Sequence, residues 1–445
     1  MGEVEVSDSW NNRLKTLAEG LASMIPTVGK VVKVAIQLFW PDDTEDIWSL
    51  IKSQVEHLIE VKILEHELDE REAQLNGLKQ SLSMYSDATN KERASLLSAI
   101  IVQCNELYSE LTESDNTIHL IPLTVAHAYL HLTVLRERYE HGLKLYSDAT
   151  DQDQWEKDLT TKVSDYHSHF LSVYSQWQEW REDEISVSVK TKKKPMGIPP
   201  FFYWTAYGKT KDSFDGESVK YSESWNKNKK TFKDVQKRAK LRMYNEANAS
   251  MMMDAFIRTF SLGNFLPGHE NDAAKADTTV SEVSYGPYSV ALTKGDHEKK
   301  NMATIIGQEL KDNNGVITEI HIWAGNFVER IQFHYEGKGA GHAFGAPKVS
   351  SKSEHVITLS DTHVTGMKMG FSNGVMARVQ FKFSDGSSSD AYGNRGWRMK
   401  YKQEVDVDSD FRLVGATGRK GNGPGAVGLA EMMFNFQHIS VDPSS

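Results

Sequence analysis

A single cysteine, Cys104, stands in 445 residues. No intrachain disulfide can form, so the fold rests on buried surface, which a chain of this length supplies. An excess of positive charge is also missing: 51 Lys and Arg against 61 Asp and Glu leave a net charge of −10. That balance argues against a general nucleic-acid binder. The opening residues, MGEVEVSDSWNNRLK, hold no basic region followed by an apolar run, and Val6 stands where a myristoylation signal has Ser or Thr. Neither a secretory signal nor a lipid anchor is read there, and release from the producing cell by another route or by lysis is the expectation.

Catalytic signatures are missing as well. No nucleophile elbow and no supported pair of carboxylates appears. GKGAG (337–341) is followed by no helix and closed by no Lys-Ser or Lys-Thr pair, so it is not a phosphate loop. HAYLH (127–131) has the spacing of two zinc ligands on one helical face, yet Ala128 stands where a metalloprotease has Glu. Asp406, Asp408 and Asp410 alternate like the start of a calcium loop, but Phe411 replaces the turn glycine. Cys104 falls on an apolar face, a packing position. No enzymatic activity, cofactor or resident metal is expected.

One local absence says more. From Asn116 to Leu135 there is no Asp, Glu, Lys or Arg. As one helix this stretch would span roughly 30 Å, about the thickness of a bilayer's hydrocarbon core. Two readings fit. A helix apolar on nearly every side suits the centre of a helical bundle. The same helix, paired with the amphipathic segment 91–111 before it, also suits a hairpin that leaves the bundle for lipid with its backbone bonds satisfied internally. Polar faces from several copies would then line water. Charging His119, His127 and His131 near pH 6 would destabilise the buried form and favour release.

Residues 8 to about 188 read as successive helices, with apolar residues three and four apart. Asp87 or Thr89 is placed to cap the helix beginning KERASLL, and Pro122 falls in the first turns of the uncharged one. KTKKKPMGIPPFFYW interrupts this grammar, and 188–230 reads as an irregular insertion; its lysines either touch anionic headgroups or are simply solvated. Helix resumes from about Thr231 to Phe260. From about Thr279, strands such as ITEIHIWAG and VMARVQFKFSDG alternate between Gly, Asn, Asp and Ser turns. The expected domains are a helical 1–268 and an all-β 279–445.

The order IPTVGKVVKVAIQLFWPDD, VEHLIEVKI, LIPLTVAHAYLHLTVLRERYEHG resembles the N-terminal helical domain of the Bacillus δ-endotoxins, the Cry toxins. KRAKLRMYNEANASMMMDAFIRTF is similar to its last helix. The resemblance implies a seven-helix-type bundle around a central apolar helix, whose fourth and fifth helices insert into membrane. On this chain that hairpin is Lys91 to Tyr146. Its inserting residues would be Leu97, Ile100 and Ile101 on the first helix, and Leu120, Leu123, Val125, Tyr129, Leu130, Leu132 and Val134 on the second. The two-part plan is similar to the B component of the binary Pir-type insecticidal toxins.

GNFVERIQFHYEGKGAGHAFG, FSNGVMARVQFKFSDG and GATGRKGNGPGAVGL resemble jacalin-related lectins. The resemblance implies a β-prism with sugar bound between three loops at one apex; a jelly roll is the alternative fold. Carried over by position, the sugar-binding residues are Gly286 and Tyr288, Gly341 and His342, and Gly421, Asn422, Gly423 and Gly425. Glycine lets backbone N–H groups approach sugar hydroxyls. The family's clamping Asp is replaced by Gly425, so the usual monosaccharide clamp is incomplete. Together the two resemblances imply a pore-forming toxin. Its partners would be the target-cell membrane, a surface glycan or glycoprotein, and further copies of itself, with a second toxin component left open and no nucleic acid. The alternative is a non-lytic lectin whose helical domain serves oligomerisation.

Overall fold

The computed structural model describes residues 13–18, 27–41, 46–51, 65–146, 151–195, 202–214, 216–224, 229–254, 256–267, 281–289, 305–312, 315–349, 353–372, 374–394, 401–423 and 426–439. The chain divides into two compact units, residues 1–179 with 251–278 and residues 180–250 with 279–445.

The first unit is helical. Short helices cover 13–18 and 47–51; Asp46 starts the latter by accepting the Ser49 N–H at 2.7 Å. The longer ones are α1 (Lys30–Phe39), α2 (Glu65–Asp87), α3 (Asn90–Glu113), α4 (Ile121–Leu145) and most of α5 (Gln152–Asp183). The end of α6 (Lys229–Asp254) and a 3₁₀ helix, Phe256–Phe265, complete the unit. Thr89 caps α3, with the Glu92 carboxylate taking the Thr89 N–H and hydroxyl at 3.2 and 2.8 Å. Pro122 sits in the first turn of α4, where its missing N–H is harmless.

Burial sorts the two hairpin helices. On α3 it falls on one face, Leu97, Ile100, Ile101, Cys104, Leu107 and Leu111. On α4 every residue from Ile121 to Leu135 is buried, as the centre of a bundle requires. Residues 115–120 form turns rather than helix. The helical part of the uncharged run is therefore only Ile121 to Leu135, about 22 Å long. Among the described residues no helix is long and apolar enough to cross a membrane, which corrects the bilayer-length expectation.

The second unit begins with a correction. The segment expected to be irregular forms an antiparallel sheet of β1 (Ile185–Pro195), β2 (Phe202–Asp212) and β3 (Ser218–Ser224). Ile185, Ala206 and Val219 from the sheet pack on Val235, Ala239 and Met243 of α6. Asp212, at the end of β2, holds Arg181 in a buried two-pronged pair, one N–O distance being 2.6 Å. The sheet escapes a sequence reading because Val187 and Val189 of β1 face solvent and the lysine run continues the strand.

Three four-stranded antiparallel sheets follow. One orders β4 (Glu282–Ser289), β15 (Ala426–His438), β14 (Phe411–Gly423) and β5 (Ile305–Lys311). The second orders β8 (Gly339–Gly345), β7 (Val328–Tyr335), β6 (Ile317–Ala324) and β9 (Glu354–Thr358). The third orders β12 (Tyr392–Gly393), β11 (Val375–Phe383), β10 (Val364–Ser372) and β13 (Tyr401–Asp406). The sheets touch pairwise, through β11 with β15, β14 with β8, and β11 with β7. Alternating inward residues, among them Ile331 and Phe333 of β7, Val379 and Phe381 of β11 and Met432 and Phe434 of β15, fill the shared core. Three sheets around one core make a β-prism and exclude the two-sheet jelly roll.

α6 is fastened to this prism by charge. Arg238 pairs with Glu431 and lies 3.2 Å from Glu309, while Arg419 lies 2.7 Å from Asp234. Asn245 donates to the Gly286 carbonyl at 3.0 Å, and the Arg242 guanidinium sits 5.0 Å from the Tyr288 ring centroid.

Candidate functional site

The ten residues expected to enter a membrane are brought together. Leu97, Ile100 and Ile101 of α3 are buried, and so are Leu120, Leu123, Val125, Tyr129, Leu130, Leu132 and Val134 in and just before α4. Apolar burial alone does not fix α4 in place. A column of polar groups runs along it: His127, His131, Glu137 and His141, each fully buried. The His127 Nε2 lies 3.0 Å from the Cys104 carbonyl on α3. His131 Nδ1 lies 3.1 Å from the Tyr166 hydroxyl on α5. Glu137 Oε1 accepts the Gly29 N–H at 2.6 Å and the Tyr85 hydroxyl at 2.7 Å. Arg136 reaches the Phe265 carbonyl at 3.0 Å. Each bond ties α4 to a different neighbour.

Burial sets the charge state of His127 and His131. It depresses the His127 imidazole to about 4, against a smaller upward effect of the Cys104 carbonyl. It holds His131 well below the usual histidine range, helped by His127 and Lys162. Both rings are therefore neutral at pH 7. Glu137 is pushed up by burial, while its two donors pull the other way. Glu137 lies in the string LRERYEH of α4. Nothing in that string marks Glu137 as internal, because its partners Gly29 and Tyr85 are remote in the chain.

The sugar-site residues are not brought to one place. Gly286 and Tyr288 lie within β4, where Tyr288 is 2% exposed and registers with Met432. Gly286 adopts φ +100°, a conformation glycine favours. Gly341 and His342 lie on β8, against Asp312, a carboxylate that sequence reading missed. Asp312 is buried, accepts the His342 N–H, and accepts the Tyr335 hydroxyl at 3.0 Å. A Cβ on Gly341 would come within 2.6 Å of Asp312 and 2.7 Å of the Tyr335 ring, so this glycine has a packing reason. Gly421, Asn422 and Gly423 close the β14–β15 hairpin by pairing with Gly428, Val427 and Ala426; Gly425 lies outside the described residues. Gly428 abuts Phe327, in the turn before β7, whereas Gly341 neighbours Tyr335 at the far end of that strand. The strand separates them by roughly 20 Å. Gly345, which pairs with Arg330, lies toward the hairpin's end of β7.

A concavity on the third sheet is a further polar surface. Lys368, Arg378, Gln380, Lys402 and Gln403 line it, with Glu404 paired to Lys368 at 3.4 Å. Gln403 buries both its amide nitrogen and oxygen without a hydrogen-bond partner among the described residues. Gln403 alternates with the exposed Lys402 and Glu404 and registers with buried Met369, so its amide lies on the inner face of the sheet.

Comparison with known proteins agrees with this architecture. Residues 17–192 match the model of the delta endotoxin N-terminal domain, and residues 302–429 that of the jacalin-like lectin domain. Pesticidal crystal protein Cry19Ba of Bacillus thuringiensis subsp. higo is 26% identical over 169 residues, which is 35% of this chain and 25% of that protein. Pesticidal crystal protein Cry8Ca of Bacillus thuringiensis subsp. japonensis is 25% identical over 177 residues, 36% of this chain and 15% of that protein. The chain thus spans a quarter or less of the length of these relatives. In fold, the insecticidal delta-endotoxin Cry8Ea1 of Bacillus thuringiensis aligns with 99% of this chain and 74% of its own, at TM-score 0.61 and 16% identity. This chain therefore joins a delta endotoxin N-terminal domain to a jacalin-like lectin domain.

Proposed function

We propose that this protein is a pesticidal pore-forming toxin, whose β-prism binds a surface glycan and whose α3–α4 hairpin enters the target membrane. The observation that carries the reading is the burial of α4 on all its faces beside a one-faced α3. Moving apolar side chains from protein core to lipid changes their environment little. The barrier lies in the polar column: leaving the bundle breaks the bonds of His131 and Glu137 to α5, Tyr85 and Gly29, whereas His127 keeps its Cys104 partner within the hairpin. Receptor binding and oligomerisation offset that loss. An apolar segment of about 22 Å is shorter than the bilayer core, which favours insertion as an assembly of several hairpins over a solitary span. The polar faces of α3 then line the lumen. A second toxin component remains compatible with this scheme.

For the glycan, the β14–β15 hairpin end, with Asn422, offers backbone donors of the lectin type. The concavity lined by Lys368, Arg378 and Lys402 is the second candidate and suits an acidic sugar.

The test cross-links the hairpin in place. Arg138 of α4 and Asp158 of α5 form an ion pair at 2.6 Å. With Arg138→Cys and Asp158→Cys bridged by a short, reducible thiol linker, the protein should bind target cells and release no dye from vesicles. Reduction should restore release. Cys104 is buried, and its thiol is raised by burial, so it stays unmodified. Full release from the cross-linked protein would sink the hairpin mechanism. Agglutination without release under any condition would leave a lectin.

A further inference from the structure

We propose that Glu319, His321 and His334, on one face of β6 and β7, bind a divalent transition-metal ion of the zinc class. The placement follows from strand geometry. Glu319 and His321 are two apart on β6 and so share a face. The register sets His334 of β7 opposite Glu319. One ligand atom from each of the three residues lies within 4.8 Å of the others. Glu319 Oε2 is 3.1 Å from His321 Nε2 and 4.0 Å from His334 Nδ1. Around a tetrahedral zinc, with bonds of about 2.0–2.1 Å, ligand atoms stand about 3.3 Å apart. Small side-chain rotations therefore close the site, with no change in the strands.

One further observation singles this cluster out from ordinary surface ion pairs. The second ring nitrogen of His321, Nδ1, lies 2.9 Å from Glu354 Oε1 on β9. A carboxylate there fixes the imidazole so that Nε2 presents its lone pair, the usual outer partner of a metal-bound histidine. The His321 and His334 rings are stacked, 4.1 Å between centroids and 15° between planes, so one ring must turn about its Cβ–Cγ bond before both nitrogens face a single ion. The donor set, two imidazoles and a carboxylate, suits zinc and copper and disfavours calcium or magnesium. Three protein ligands leave the fourth position to water or to a donor from a partner. All three side chains are partly exposed, so an ion can reach them. A bound ion would clamp β6 to β7 and, through Glu354, β9.

The experiment titrates Zn²⁺ into the chelator-treated full chain by calorimetry, with Co²⁺ as a spectroscopic stand-in. One ion per chain is expected, with Co²⁺ bands of low-symmetry, four-coordinate type. His334→Ala and Glu319→Gln should each weaken binding by about tenfold or more, and Glu354→Gln by about tenfold or more through orientation alone. His342→Ala should change nothing. Circular dichroism and melting of each apo variant identify any that fail to fold. Absence of zinc binding to the wild-type chain, or undiminished binding by a folded His321→Ala/His334→Ala double variant, would overturn the proposal.

Discussion

Tyr85 of α2 donates its hydroxyl to Glu137 of α4 across the interior of the helical unit, at 2.7 Å. The same carboxylate oxygen receives the Gly29 N–H. One side chain thus connects the start of α1, the end of α2 and the middle of α4. Glu137→Ala should destabilise the helical unit by about 2–4 kcal/mol, because two buried donors lose their acceptor. Tyr85→Phe should cost less, about 1–2 kcal/mol. Urea unfolding of both variants and the double variant measures the coupling. If the double variant equals the sum of the singles, the two residues do not act together.

The neutral histidines make stability depend on pH. In an unfolded chain His127 binds its proton near 6.5, whereas in the fold it does so at about 4. The unfolded state therefore holds more protons between these values. Stability is full above pH 6.5 and falls as pH drops toward 4, by about 3 kcal/mol for His127 alone, with His131 acting in the same direction. Glu137, raised by burial, works in the opposite sense. The melting temperature of the helical unit should drop between pH 6.5 and 4, and His127→Gln should flatten that slope. An unchanged slope would remove His127 from the account.

Asp212→Ala should damage the small sheet more than a surface ion pair would. It strands Arg181 in a buried site, which is worth about 3–5 kcal/mol. Loss of protection in amide exchange over 185–224, read against an unaltered prism, is the expected signature.

Glycan contact can be separated from packing by three substitutions. Gly341→Ala should lower prism stability by about 1–3 kcal/mol through its clash with Asp312 and Tyr335. Asn422→Ala should leave stability within about 0.5 kcal/mol and weaken glycan binding if the hairpin end is the site. Lys402→Glu should weaken binding of acidic glycans only, if the concavity is the site. Glycan arrays probed with all three variants distinguish these outcomes.

Much of the architecture was legible because its signals are local. Alternation in FVERIQFHYEG and VMARVQFKFSDG gives β7 and β11, and the burial of Ile331, Phe333, Val379 and Phe381 follows it. The uncharged run marks the bundle centre correctly but overstates the helix, since 116–120 turn before Pro122 starts it. The β1–β3 sheet was hidden because one apolar residue, Ile185, anchors β1 while the rest of the strand is polar or exposed. The partners of Glu137, Asp312 and His334 come from distant strands and helices, and no spacing rule announces such pairings. Tyr288 illustrates the opposite failure. Its place in a glycine-flanked string resembles a lectin loop, yet tertiary packing buries it under Arg242.

The charges that fasten α6 to the prism also define how this protein can be recombined. An exchange of the prism cut only at residue 279 would remove Glu431, Glu309 and Arg419 and keep Arg238 and Asp234. Those two, and Asn245, would face a foreign surface with no matching groups. The transplantable cassette is therefore discontinuous: it includes 180–250 together with 279–445. A chimera that carries both pieces keeps the network whole.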